Sequence, residues 1–266
     1  MAKAIVLTGY GINCEEETAF AFRKAGAKAE IVHVNDLIAE PKRLSAAQIF
    51  AFPGGFSYGD DTGSGNALAN KIRNNLWNEL VDFIEAEKLI IGICNGFQVI
   101  ANLGILPGIK KRLPQRKVAL SHNNTARYEC RWVSLKSSSD KCVFTRGIDF
   151  LRMPVAHGEG KFTASKETLL ELNENSQIVF TYAKLDASAA NGEFPFNPNG
   201  SAEDIAGICS RDGRILGMMP HPERNIFFTQ QDDWAMQKEL LKRKCLPLPE
   251  ESGGMQIFRN AVEYFR

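Results

Sequence analysis

Three short glycine-flanked segments carry residue types able to do chemistry, and each implies a different one. Gly9-Tyr10-Gly11 follows an apolar run and precedes an acidic one, where a dinucleotide loop would sit. The G-x-G-x-x-G pattern needs a third glycine where Cys14 stands, so an ordinary strand-to-helix turn is the better reading. Gly55-Phe56-Ser57-Tyr58-Gly59 has the G-x-S-x-G form of a serine nucleophile elbow. Asp60-Asp61-Thr62-Gly63-Ser64-Gly65 follow it, however, in place of the apolar helix an elbow requires. Gly92-Ile93-Cys94-Asn95-Gly96 has the same form with sulfur for oxygen, an apolar run before it and apolar residues 97–103 after it. Its glycines permit a sharp turn and a close approach of strand and helix. Cys94 then stands at a helix N-terminus, whose dipole and free N–H groups stabilise a thiolate. Cys94 is therefore the expected nucleophile. Cys14, Cys130, Cys142, Cys209 and Cys245 read as small hydrophobes.

A thiol nucleophile needs an imidazole to take its proton and a further group to orient that imidazole. Of the four histidines, His33 falls in a strand-like run and His122 in a polar stretch, and neither is favoured. His157-Gly158-Glu159 and His221-Pro222-Glu223 each set a carboxylate two residues beyond the ring, where it can hold the second nitrogen. His221 follows a strand-like run and precedes a helix-like one. That puts it, like Cys94, at a strand's carboxyl end, where open α/β sheets build their sites. His157 reads as part of a glycine-flanked loop. Spacing favours His221 and leaves His157 open. H-x-E also opens the zinc-deaminase signature, but the P-C-x-x-C that completes it is absent, and no metal site is expected.

Those groups need elements to hold them, and the first half of the chain alternates strand and helix. Lys3–Thr8, residues 28–34, Ile49–Phe52 and Leu89–Ile93 read as buried strands. Residues 15–25 and 97–103 read as helices stopped by Gly26 and Gly104, and residues 66–87 as helical sequence broken near Asn74-Asn75. This alternation predicts an α/β fold: an open, mostly parallel sheet with helices on both faces. The second half is richer in short strands, expected at residues 128–135, 141–145 and 178–182. Ile205–Cys209 and Ile215–Met218 flank Arg211-Asp212-Gly213-Arg214, a hairpin signal. Residues 255–265 put Ile257, Phe258, Ala261, Val262 and Phe265 on one face of a C-terminal helix. Leu246-Pro247-Leu248-Pro249 reads as a local spacer. With motif residues spread from Gly55 to Glu223, residues 1–266 are expected to form one domain.

Composition argues against other functions. With 32 Lys+Arg against 31 Asp+Glu, the net charge is +1 and no basic stripe is evident, so no nucleic-acid partner is expected. At 44% hydrophobic and 24% charged, the chain is a foldable one. Met1-Ala2-Lys3-Ala4 lacks the apolar core of a signal peptide, and no two cysteines form a C-x-x-C, so a reducing cytoplasm is expected. Residues 89–109 carry no charge and precede Lys110-Lys111-Arg112, long enough to span a bilayer. Asn95, Gln98, Asn102, four glycines and Pro107 break that run into short pieces, so no membrane span is expected. No G-x-x-x-x-G-K-[ST] loop for ATP is present.

Taken in order, the motifs resemble the class I glutamine amidotransferases, and among them the glutaminase subunits and domains of phosphoribosylformylglycinamidine synthases. The carriers are Pro53-Gly-Gly-Phe-Ser-Tyr-Gly-Asp60, Gly92-Ile-Cys-Asn-Gly-Phe-Gln98, Pro154-Val-Ala-His-Gly-Glu-Gly160, Asn197-Pro-Asn-Gly-Ser201 and Met218-Met-Pro-His-Pro-Glu-Arg224. The resemblance covers the chain from the first strand to Arg224. It implies a flavodoxin-like fold and a triad of Cys94, His221 and Glu223, which selects His221 over His157. It also implies an oxyanion hole from the backbone N–H groups of Gly55 and Asn95, and a substrate contact from Gln98. L-glutamine would be the substrate. Its ammonia would pass to a synthetase subunit, assembled with a small bridging subunit, that uses ATP and magnesium to convert formylglycinamide ribonucleotide to formylglycinamidine ribonucleotide. No cofactor is implied in this chain itself. Two segments depart from the pattern. Asp61-Thr62-Gly63-Ser64-Gly65 stands where the family often has bulky and basic residues, and the tail from about Gln230 gives no confident match. One rival reading is a stand-alone cysteine hydrolase or stress protein of a related flavodoxin-like family, which does not predict H-P-E or N-P-N-G-S. Another is a non-catalytic binding module in which Cys94 is structural.

Overall fold

The computed structural model describes residues 1–108 and 113–266; the basic triplet Lys110-Lys111-Arg112 lies outside the described residues. The first half runs β1 (Lys3–Thr8), α1 (Glu15–Lys24), β2 (Lys28–His33), α2 (Val34–Ala39), α3 (Lys42–Ser45), β3 (Ile49–Phe52), α4 (Asn66–Glu85), β4 (Leu89–Ile93) and α5 (Asn95–Leu103). The second half runs β5 (Val118–Ser121), β6 (Glu129–Ser137), β7 (Phe150–His157), β8 (Lys161–Ala164), α6 (Lys166–Glu174), β9 (Ile178–Ala183), β10 (Ile205–Cys209), β11 (Ile215–Met218), α7 (Trp234–Arg243) and α8 (Gly254–Glu263).

Among the described residues, nine strands form one sheet in the order β2-β1-β3-β4-β11-β10-β9-β6-β7, and β5 pairs with β8 apart from it. The strands from β2 to β11 are mutually parallel. From β11 to β7 each neighbouring pair is antiparallel. β3 and β4 are buried at every residue, as parallel strands covered on both faces must be, which is why they read as unbroken apolar runs. Six of the helices form two packed groups. α1 packs on α8, with the Phe22 and Phe258 rings 5.0 Å apart and edge-to-face, while α4 packs with α2, α3 and α5. Buried apolar side chains from Ala2 to Val262 join in a single cluster.

Strand direction brings the motif segments together. β1, β3, β4 and β11 end on the same sheet edge because they are parallel. Four successive reversals from β11 return β7 to that direction, so its last residue, His157, ends there too.

Several sequence expectations are corrected. Residues 141–145 are not a strand. Val143–Thr145 form a 3-10 turn whose apolar side chains pack beneath α8, tied by Asn260 Nδ2 donating to Phe144 O at 2.9 Å. A short apolar run looks alike in a strand and in a buried turn. α4 is not broken at Asn74-Asn75. Both residues face solvent, and Leu68, Ile72, Leu76, Leu80 and Phe83 keep the helical apolar stripe intact. His157 lies in a strand, not a loop. The run Phe150–His157 contains Pro154, which a strand tolerates at a sheet edge, and β7 is an edge strand. Among the described residues, no helix is long and apolar enough to cross a membrane.

Candidate active site

Cys94 occupies the turn between β4 and α5 with φ 50° and ψ −108°, a backbone conformation that costs of order 1–3 kcal/mol and persists only where its surroundings enforce it. They do so by close packing. A Cβ on Gly96 would lie 1.8 Å from Phe52 O, and one on Gly92 would lie 2.7 Å from Gly96 O. Only glycine therefore lets α5 start against β3 and β4 and swing the cysteine out at the sheet edge. The Cys94 N–H donates to Met218 O at 2.8 Å, which couples the elbow to the end of β11. The thiol is 5% exposed and donates to Ala156 O at 3.6 Å.

His221 follows β11 and immediately precedes the 3-10 turn Pro222–Arg224, which carries Glu223, and both residues are about 1% exposed. Nδ1 of the ring lies 2.5 Å from Glu223 Oε1. Burial alone would lower the imidazole's pKa, but the Glu223 carboxylate and the Cys94 sulfur outweigh it and hold the pKa well above 6.5. Nε2 of His221 has no hydrogen-bond partner. It is therefore left to meet the nucleophile or the leaving group.

The loop after β3 faces Cys94. Ile12 and Gly55 form an isolated antiparallel pair of the non-hydrogen-bonded kind: Asn13 N donates to Gly54 O at 3.3 Å and Phe56 N to Gly11 O at 2.7 Å. The Gly55 N–H is thus turned away from Ile12. Gly55 has φ +149°, and a Cβ there would meet Gly11 O at 2.6 Å. The N–H of Asn95 is at the first turn of α5, where no intrahelical acceptor exists. Gly55 lines the cleft that holds Cys94, and the Asn95 N–H directly follows the nucleophile in the chain. Gln98 lies one turn on. Its Nε2 donates to Glu159 O at 2.6 Å, and its Oε1 accepts from Asn95 Nδ2 at 2.9 Å. Gly55, Cys94, Gln98, Tyr128, His157 and Glu159 share one cleft of about 100 Å³. A larger cavity of about 450 Å³ by Pro107, Lys117, Gln177 and Arg211 includes none of the candidate nucleophiles or bases.

The other candidates take structural places. Gly9-Tyr10-Gly11 buttresses the Gly55 loop, and Tyr58 N donates to Tyr10 O at 2.8 Å. Ser57 is buried in the turn Ser57–Asp60, where its N–H donates to Asn95 Oδ1 at 3.2 Å. His33 caps α2 by accepting from Asn35 N, and His122 is exposed, 3.8 Å from Glu159. His157, by contrast, is brought to the cleft and buried, which its apparent loop setting did not announce. Asn123 Nδ2 donates to Arg127 O and His157 O at 2.9 and 2.8 Å, so Asn123 Oδ1 faces Nδ1 of His157 at 3.1 Å and also accepts from Gly160 N. Burial, with nearby His221, lowers the His157 pKa to about 3. The N-P-N-G-S segment supports this loop: Asn199 Nδ2 donates to Gly160 O at 2.9 Å, and Ser201 Oγ accepts from Phe162 N at 3.0 Å.

Sequence reasoning missed Cys14 and Arg224. Cys14 is buried, as expected, but it also touches the site. Arg224 Nη2 donates to its sulfur at 2.8 Å, and the ligand atoms of Cys14, His221 and Glu223 lie within 4.8 Å of one another. That spacing would admit a metal, but His221 Nδ1 is taken by Glu223, and the Arg224 guanidinium already occupies the sulfur with positive charge. Burial pushes the Cys14 thiol pKa up. No sequence signal marked it beyond its position at the start of α1.

The family model of the CobB/CobQ-like glutamine amidotransferase domain matches residues 1–265. A phosphoribosylformylglycinamidine synthase subunit PurQ of Methanococcus maripaludis is 55% identical over 264 residues, covering 99% of this chain and 97% of that one. The protein of the same name from Dehalococcoides mccartyi is 46% identical, covering 99% and 98%. A chain in a structure of PurLQS from Thermotoga maritima superposes with a TM-score of 0.73 at 27% identity, covering 100% and 99%.

Proposed function

The chain belongs to the CobB/CobQ-like glutamine amidotransferase family, and on that premise we propose that it is the glutaminase subunit of a phosphoribosylformylglycinamidine synthase. One observation carries the catalytic part: a cysteine held in a strained strand-to-helix elbow lies within electrostatic reach of a buried imidazole–carboxylate pair. Cys94 is the nucleophile, His221 its base and Glu223 the group that orients and charges the ring. His221 takes the thiol proton, and sulfur attacks the side-chain carboxamide carbon of glutamine. The oxyanion is met by the N–H groups of Gly55 and Asn95, each such donor being worth about 10²–10³ in rate. The C–N bond then breaks, and the departing nitrogen takes the proton from Nε2 of His221 and leaves as ammonia. Water activated by the same ring hydrolyses the thioester to glutamate. In this geometry the thiol donates to Ala156 O and Nε2 of His221 has no hydrogen-bond partner; catalytic hydrogen bonds of this kind commonly tighten in the substrate complex.

Ammonia released into water at neutral pH would be protonated and lose its nucleophilicity, so its consumer must dock on this chain. That consumer is a synthetase subunit carrying ATP and magnesium, joined by a small bridging subunit; the occurrence of a similar chain within PurLQS of Thermotoga maritima supports such an assembly. Residues 1–266 are read as one amidotransferase domain. Free thiols suit the reducing cytoplasm. The stand-alone cysteine hydrolase is not favoured, because relatives named as synthase subunits match at 55% identity over nearly the whole chain. In the assembled complex, Cys94→Ala should abolish synthesis from glutamine and leave synthesis from added ammonium salt at the unmodified rate. Glutamine use at a normal rate by the variant would refute the nucleophile.

A further inference from the structure

We propose that His157 is a second catalytic imidazole of the cleft: an acceptor whose neutral Nε2 receives an N–H of the glutamine carboxamide and of the ammonia it becomes. The proposal rests on the glutaminase reading above and deepens it.

Two ring nitrogens in the site lack partners, Nε2 of His221 and Nε2 of His157. They are opposite in kind. Once His221 has taken the Cys94 proton, the Glu223 carboxylate stabilises its charged form, so its Nε2 carries a proton to give. The His157 tautomer is fixed by Asn123. Both donated bonds of the Asn123 amide go to carbonyls, so its oxygen must face Nδ1 of His157, and Nδ1 must bear the proton. Nε2 of His157 is left with a buried lone pair, and the residue, 2% exposed, lines the cleft that holds Cys94. A buried acceptor without a partner is costly to fold around. The Cys94 thiol does not satisfy it, because it donates to Ala156 O.

The reaction supplies what is missing. A carboxamide nitrogen must gain one proton to leave and offers two N–H bonds of its own. His221 gives the proton, and the lone pair on His157 takes one of those N–H groups as a hydrogen bond. No proton moves to or from His157, so the product departs as neutral ammonia, the form the synthetase can use. The low proton affinity of the buried His157 ring suits this role, since a charged ring could not accept. Gly160 completes the arrangement: a Cβ there would lie 2.4 Å from the His157 ring, so only glycine leaves the ring in place.

Two substitutions separate this role from a structural one. His157→Asn keeps an amide near Nδ1, where it can still bond Asn123, and removes the acceptor at Nε2. His157→Gln places its carbonyl oxygen near Nε2 and gives up the Nδ1 bond. In the complex with its synthetase, His157→Asn should lower kcat for glutamine by at least tenfold with KM little changed, and His157→Gln should recover at least a third of the loss on a logarithmic scale. Alkylation of Cys94 by a glutamine-derived chloroketone, which has no N–H at the leaving position, should change less than threefold in either variant. Equal losses in glutamine turnover and alkylation, or a His157→Asn variant more active than His157→Gln, would overturn the proposal. Failure of the unsubstituted complex to release glutamate would instead overturn the glutaminase reading beneath it.

Discussion

His221 and His157 show how much a few neighbours decide. Both are buried imidazoles at the same sheet edge. One lies 2.5 Å from a carboxylate that favours its charged form; the other faces an amide oxygen and is held neutral, with a pKa near 3. They therefore act on stability in opposite senses. Between about pH 3 and 6.5 the unfolded chain binds a proton at residue 157 that the folded chain does not, so this ring makes stability rise with pH across that window. The raised pKa of His221 contributes stability that is fully present below pH 6.5 and is lost as pH rises through its folded value. His157→Asn should therefore flatten the acid limb. Urea unfolding at about pH 4 and about pH 7.5 should show the variant losing less stability on acidification than the unsubstituted chain, by on the order of a few kcal/mol; parallel losses would contradict a neutral buried ring. In the sequence, two H-x-E pairs are legible and spacing leans to His221. The burial and tautomer of His157 are not, because they depend on Asn123, which is distant in sequence and carries no motif of its own.

At the scale of elements, legibility follows burial. β1, β3 and β4 are interior parallel strands, and their apolar runs mark them to the residue. β7 escapes a sequence reading because an edge strand can carry Arg152, whose charge an interior strand would have to bury, and Pro154, which in an interior strand would remove a ladder hydrogen bond. The turn Val143–Thr145 reads as a strand because its apolar run serves α8 instead of the sheet. The elbow glycines are legible as a motif, and the structure adds the reason they are glycines. Gly96→Ala would drive a Cβ to 1.8 Å from a backbone oxygen of β3, where neither side can yield, and should destabilise the fold by about 3 kcal/mol or more. Gly63→Ala meets open space and bears only the strain of its φ of +90°, so about 1 kcal/mol is expected. Urea midpoints of the two variants check this, and equal midpoints would contradict the close-packed elbow.

Across the whole molecule, the first strands, the Gly55 loop, the elbow, the end of β7 and the turn after β11 come from segments far apart in the chain and meet at one sheet edge. The antiparallel half brings His157 and its Asn123 support to that edge, and the N-P-N-G-S segment braces both. The rest of the chain is less committed: α7 buries no side chain, in contrast with α8, which supplies Ile257 and Phe258 to the core. The central claim is that Cys94 is the sulfur that takes the glutamyl group. It is tested most directly by treating the assembled complex with a glutamine-derived chloroketone and mapping the labelled peptides by mass spectrometry. One label per chain is expected, on Cys94, blocked by excess glutamine and absent from the Cys94→Ala variant. Full labelling of Cys14 or any other residue, or stoichiometric labelling that survives Cys94→Ala, would contradict it.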